Sequence, residues 1–180
     1  HRKGLDVLLH ALARLRIAHP RATLDVVGNG PLRDTHARLA AQLGLGDAVR
    51  FRGTVPAERV GDAIVECDVL VLPTRFDGWG MVLNEAAALG LALVSTETCG
   101  AAHHLIQPGR NGFRVPPEDP VALATALGHY FEDPGLAARH GAESAALFED
   151  FAPDRNAGRL LEALADLDAD SRASRSAVTQ

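Results

Sequence analysis

Val69-Leu70-Val71-Leu72-Pro73, followed by Thr74-Arg75-Phe76-Asp77-Gly78-Trp79-Gly80-Met81-Val82-Leu83-Asn84-Glu85, is the stretch on which the fold turns. Four consecutive apolar residues bounded by Asp68 and Pro73 read as a short strand buried on both faces, the pattern of a parallel sheet. Pro73 to Gly80 forms a loop, and Met81 to Leu89 reads as a helix closed by Gly90. A strand that runs through a glycine-bearing loop into a helix is the first half of a βαβ unit.

The same alternation extends in both directions. Upstream, Leu5, Leu8, Leu9, Leu12 and Leu15 recur at helical spacing from Gly4 to about His19, before Pro20. Thr23 to Val27 is a strand, Gly28-Asn29-Gly30-Pro31 a turn, and Leu32 to Leu43 a helix ending at Gly44. Val49 to Phe51 is a strand ended by Gly53, and Val60, Ile64 and Val65 lie on a helix running into Cys67. Downstream come a strand at Ala92 to Ser95, a short helix at Gly100 to Ile106 and a last strand at Gly112 to Val115. Helices are expected over Pro120 to Phe131, Gly135 to Phe148 and Asp154 to Leu167, with a disordered tail over 168–180. Short strands alternating with longer helices predict an α/β fold, a Rossmann-like doubly wound parallel sheet flanked by helices, forming one domain over 1–167. In the usual strand order 3-2-1-4-5-6 the central strand would precede Lys3, so residues 1–180 alone are expected to be poorly stable.

Composition narrows the function. The 180 residues are 47% apolar and 23% charged, a globular balance, and no apolar run reaches the roughly 20 residues of a membrane span. A net charge of −5 gives no reason to expect nucleic acid as partner. Of 18 cations only Lys3 is a lysine. Cys67 and Cys99 are too few for a disulfide scaffold and fit reduced, buried thiols of a cytoplasmic protein.

Ligands of doubly wound sheets bind at the carboxyl ends of the strands, so the loops after strands are where chemistry is sought. In the central loop Gly78 and Gly80 permit close backbone approach, and the first-turn N–H groups near Gly80, Met81, Val82 and Leu83 suit a phosphate. Glu85, just inside the helix, can accept two ribose hydroxyls, and Asp77 can reach another part of the same ligand. The plainer alternative makes Asp77 a helix-dipole charge and Glu85 a solvated residue. Trp79 either covers a ligand or anchors the loop in a core. Gly28-Asn29-Gly30 lacks the third glycine of a dinucleotide fingerprint, which argues against NAD. His103 and His104 are adjacent and point about 100° apart on a helix, a poor chelating pair, and no metal is expected.

Lys3-Gly4, Val27-Gly28-Asn29-Gly30-Pro31, Phe51-Arg52-Gly53, Asp68 to Pro73, Asp77 with Glu85-Ala86 eight residues on, Gly90 and Asn111-Gly112 together resemble, in that order, a known family. It is the C-terminal domain of family-4-type retaining glycosyltransferases, glycosyl transferases group 1, one half of the glycosyltransferase B fold. The resemblance runs from Arg2 to about Leu167. It implies a hexosyltransferase that moves a sugar from a nucleotide-diphosphate donor to an acceptor hydroxyl with retention, this chain holding the donor. It implies a second, N-terminal Rossmann-like domain, an acceptor glycan, lipid or small molecule, and no cofactor. A cytoplasmic location is expected, at the inner face of the membrane if the N-terminal half directs it there.

By the same resemblance Glu85 binds the ribose, Asp77 the donor sugar, Lys3 the diphosphate, and Gly28 and Gly30 lie by the nucleotide. Thr54 and Val55 approach the base, and Gly78, Trp79, Gly80, Met81 and Val82 line the donor. Asp77 stands where the family has Glu, which withdraws the carboxylate by about 1.5 Å. His103-His104 falls where an acid is more usual. The alternatives from the residues are a sugar-nucleotide epimerase of the same fold and a non-catalytic nucleotide-sensing module.

Overall fold

The computed structural model describes residues 1–151 and 153–177. Its strands are β1 (Leu24–Val27), β2 (Val49–Gly53), β3 (Val69–Leu72), β4 (Ala92–Thr96) and β5 (Gly112–Val115). Between them and after them run α1 (Leu5–Ala18), α2 (Arg33–Gln42), α3 (Val60–Val65), α4 (Val82–Ala88), α5 (Gly100–Leu105), α6 (Pro120–Glu132), α7 (Leu136–Phe148) and α8 (Pro153–Ala177). Every strand and helix expected from the sequence is present, with ends shifted by a residue or two except in α8. That helix continues to Ala177, so the tail expected to be disordered from Asp168 is helical as far as the described residues go. From Asp168 to Ala177 the sequence has no Gly or Pro to stop it.

All pairings are parallel. The side chains of β3 and β4 alternate between two cores, as strands covered by helices on both sides must. Val69, Val71, Ala92 and Val94 join α1, α2 and α6, whereas Leu70, Leu72 and Leu93 join α3, α4 and α5. β4 is fully buried, but Val69, Leu70 and Val71 of β3 are only half-buried, against the expectation of a strand buried on both faces. The reason lies in the topology. The strands form two sheets, β1-β2 and β3-β4-β5, and β3 is an edge. The break between β1 and β3 falls where the order 3-2-1-4-5-6 puts a central strand. A groove of about 540 Å³ occupies it, lined by Leu5 and Leu8 of α1, all of β1, and Val71 and Leu72 of β3.

The carboxyl ends of the strands converge at the mouth of this groove. Gly28 donates its N–H to the Gly53 carbonyl at 2.7 Å, which ties the loop after β1 to the end of β2. The loop after β3 is bonded strand-like to the loop after β4: Asp77 N–H to Thr98 O at 3.1 Å, Gly100 N–H to Asp77 O at 3.1 Å and Ala101 N–H to Trp79 O at 2.7 Å.

Candidate active site

Lys3 enters the site because Gly4 makes the turn into α1. Gly4 has φ 67°, and a Cβ there would lie 1.9 Å from the Pro73 carbonyl oxygen, so only glycine fits between the end of β3 and the start of the helix. The residues before it are fastened to the same loop. The Arg2 carbonyl accepts the Arg75 N–H at 2.9 Å and the Thr74 hydroxyl at 3.0 Å. Lys3 thus lies at the groove mouth, and its Nζ donates to Asp77 Oδ2 at 2.5 Å. The Asp77 carboxylate is well buried and its partner ammonium half-exposed. The hydrogen bond from Lys3 holds the Asp77 carboxyl below its ordinary range, against the opposing effect of burial. The two charges expected to touch different parts of one ligand are here each other's partner.

Gly80, with φ 93°, turns the chain into α4. A Cβ on it would meet Cys99 Sγ at 2.5 Å and Leu72 Cδ2 at 3.0 Å. Gly78 differs: a Cβ there meets nothing within 4 Å, so the close approach expected at both glycines is required only at Gly80. The Leu83 N–H closes onto the Gly80 carbonyl at 2.9 Å, and those of Asn84 and Glu85 reach Met81 O. Leu83 is therefore no phosphate donor, and the first-turn N–H groups left for an anion are those of Gly80, Met81 and Val82. Val82 lines the groove with Lys3, Gly28 and Gly30.

Glu85 is exposed, three residues further along α4, and faces a separate cleft with Ala57, Val60, Gly61 and Leu89. Thr54 and Val55 precede this cleft in sequence, through Pro56 and the 3-10 turn Ala57–Arg59. The start of α4 therefore stands between two recesses, one holding Lys3 and the glycine loop, the other Glu85. Trp79 is 38% exposed, which removes the reading of it as a core anchor. Its indole N–H donates to Asn84 Oδ1 at 2.8 Å and its ring stacks on His104 at 5.5 Å. His103 contacts the Glu97 carbonyl at 2.6 Å and Arg114 at 2.9 Å, so the two histidines make separate contacts. Cys99 is buried and Cys67 only half-buried, where burial raises its thiol's pKa, and the two are not joined in a disulfide.

Sequence reasoning missed the supports of the site. Cys99 Sγ donates to the Trp79 carbonyl at 3.0 Å, and a Cβ on Gly100 would lie 2.3 Å from Gly78 O, so the loop after β4 is the bed on which the Asp77 loop rests. Arg75 joins Asp6 and Glu118. The signal in the sequence was the small run Thr98-Cys99-Gly100-Ala101, separated by one residue from the end of β4.

The model of the family described as glycosyl transferases group 1 matches residues 1–133. A D-inositol 3-phosphate glycosyltransferase of Streptomyces scabiei is 38% identical over 170 residues, covering 89% of this chain and 38% of the relative. A GDP-mannose-dependent α-(1-6)-phosphatidylinositol monomannoside mannosyltransferase of Mycolicibacterium smegmatis is 35% identical over 154 residues, covering 78% and 40%. Among solved structures, Anabaena HepE in complex with UDP superimposes with a TM-score of 0.80 at 25% identity, covering 92% of this chain and 46% of HepE. The chain thus spans about two-fifths of the relatives it matches. With the family model matched over nearly three-quarters of its length, the chain belongs to glycosyl transferases group 1.

Proposed function

We propose that this chain is the donor-binding half of a retaining hexosyltransferase that takes a sugar from a nucleotide-diphosphate sugar to an acceptor hydroxyl. The observation that carries the reading is the site at the start of α4. The Lys3–Asp77 pair and the Gly28-Asn29-Gly30 loop lie on one side of it, and the carboxylate of Glu85 on the other. A nucleotide sugar has matching parts: a diphosphate for Lys3 and the Gly80 to Val82 N–H groups, a ribose for Glu85, and a sugar for Asp77.

Donor binding exchanges partners. The diphosphate takes Lys3 from Asp77, and the freed carboxylate accepts hydroxyls of the sugar. In the transfer the bond from the anomeric carbon to the diphosphate oxygen breaks, and charge grows on that oxygen under Lys3. The acceptor oxygen bonds to the anomeric carbon on the same face, and its proton passes to the leaving phosphate oxygen. The protein supplies charge and orientation, and no redox step is involved. The acceptor, whether glycan, lipid or small molecule, binds across the cleft on an N-terminal Rossmann-like domain. A parallel strand in the groove between β1 and β3 would make one sheet of two, which its apolar lining supports. Among the described residues no helix is long and apolar enough to cross a membrane, and the cytoplasmic side is where such a donor would be met.

Calorimetric titration of the longer protein with UDP, GDP and ADP sugars, and with NAD, tests the reading. One nucleotide sugar binds, NAD does not, and Glu85→Ala loses about 10-fold or more in affinity, the scale of a lost charged hydrogen bond. No nucleotide sugar bound, or Glu85→Ala binding as tightly, defeats it.

A further inference from the structure

Arg75 lines neither recess, yet it bonds to His1 and Arg2, which line the groove, and its guanidinium is heavily engaged. Its guanidinium forks onto Asp6, Nη1 to Oδ1 at 2.9 Å and Nη2 to Oδ2 at 2.7 Å. Its Nε donates to Glu118 Oε1 at 2.7 Å, and Nη1 also donates to the His1 carbonyl at 2.6 Å. The side chain is 18% exposed, and these partners raise its already high pKa. Asp6 belongs to the first turn of α1, and Glu118 to the loop after β5. Glu118 has φ 59°, and among the described residues no other non-glycine has a positive φ. A backbone held in that region persists where its surroundings fix it, and such residues concentrate at functional sites.

The anchors bracket Lys3 on both sides. His1 and Arg2 are held by their carbonyls, Asp6 by its carboxylate, and Gly4 is seated on Pro73. Two residues beyond Arg75 is Asp77, the partner of Lys3. The guanidinium, bonded to His1 on one side and Asp6 on the other, thus pins both ends of the segment that carries Lys3 beside the Asp77 loop. We propose that Arg75 is a positioning residue that aims Lys3 at the donor diphosphate, a role that rests on the reading of Lys3 under Proposed function. Lysine cannot replace it, because a single ammonium cannot fork onto Asp6 while reaching Glu118.

The test is a set of titrations on the longer protein with the nucleoside diphosphate and monophosphate of its donor, using Arg75→Lys, Lys3→Ala and the double variant. Arg75→Lys loses about 5–20-fold for the diphosphate and less than about 2-fold for the monophosphate. The double variant binds the diphosphate no more weakly than Lys3→Ala, because the two residues act as a unit. Equal losses for both nucleotides, or losses that multiply in the double variant, overturn the proposal and leave Arg75 a structural tie. A second readout needs no ligand. In protein carrying ¹³C-labelled lysine, the Lys3 side-chain signal, assigned by its loss in Lys3→Arg, moves to the position of free lysine in Arg75→Gln. An unmoved signal overturns the proposal on its own. If the wild type binds diphosphate and monophosphate equally while the Lys3 signal moves, the diphosphate role of Lys3 fails and the positioning of Lys3 by Arg75 stands.

Discussion

Replacing Gly80 by alanine tests the geometry of the motif loop at a single atom. The added methyl would stand 2.5 Å from Cys99 Sγ and 3.0 Å from Leu72 Cδ2, on a backbone with φ 93°. Placing an L-residue in the left-handed region costs about 1–2 kcal/mol. Forcing a methyl into a packed core costs about 1–3 kcal/mol, and Cys99 is fully buried, with no room to withdraw. The sum is about 2–5 kcal/mol, or a fall in Tm of about 4–20 °C at the 2–4 °C per kcal/mol usual for domains of this size. Gly78→Ala, two residues earlier in the same loop, is the control: its methyl meets nothing within 4 Å and its φ is not positive, so stability changes by less than about 1 kcal/mol. The cycle of Gly80→Ala with Cys99→Ala, followed by chemical denaturation, isolates the clash. Removing Sγ relieves the nearest contact but leaves the backbone strain, so the double variant is more stable than the sum of the singles by about 1–2 kcal/mol. Additivity within about 0.5 kcal/mol, or a Gly80→Ala cost no greater than that of Gly78→Ala, would refute the packing described here.

Asn111→Ala should cost about 2–4 kcal/mol by denaturant unfolding. The buried amide accepts from Gln107 N–H at 2.8 Å and donates to Leu105 O at 2.8 Å and Ser144 Oγ at 3.2 Å, and alanine leaves those groups unpaired. Its donor affinity, once folded, should be unchanged, since these partners lie away from both recesses. His140 predicts a pH effect. Burial beside Tyr130 and Phe113 holds its imidazole below the ordinary 6.5. Below that pH the unfolded chain takes up a proton the folded one refuses, so stability falls as pH drops from about 6.5 toward the folded pKa. Tm measured between pH 7.5 and 5.5 should show that slope, and His140→Gln should reduce it, leaving the part due to His36, whose imidazole burial also holds low.

What the sequence disclosed and what it concealed divide along separation in the chain. The strands and helices were legible because each is announced locally: the run Val69 to Leu72, the leucine spacing from Leu5 to Leu15, and glycine or proline at the boundaries. The placement of Asp77 ahead of a helix and of Glu85 on that helix was legible because both belong to one loop and the helix it enters. The edge exposure of β3 was not, since an apolar run looks the same whether or not a neighbouring strand covers it. Nor was the separation of Glu85 from Lys3 into two recesses, which depends on how α3 docks beside α4.

The supports of the site were hidden most completely, and for a reason that bears on what they do. Arg75 meets Asp6 across 69 residues and Glu118 across 43, and no short-range pattern announces such a meeting. Yet contacts of that range are what a site assembled from the ends of several strands requires. Lys3 comes from the segment before α1, Asp77 from the loop after β3, and the bed beneath Asp77 from the loop after β4. Each segment is short and would wander on its own. The Lys3–Asp77 pair contributes little to fixing them, because its ammonium is half-exposed and, on the proposed function, the pair opens for a diphosphate. The rigidity therefore has to come from bonds that remain closed throughout: the Arg75 fork, the Thr74 hydroxyl on Arg2, and the strand-like bonding of Asp77 to Thr98 and Gly100. On the proposed function, the groups that change partners on binding and the groups that hold their positions are different residues, and only the first set could be read from a motif.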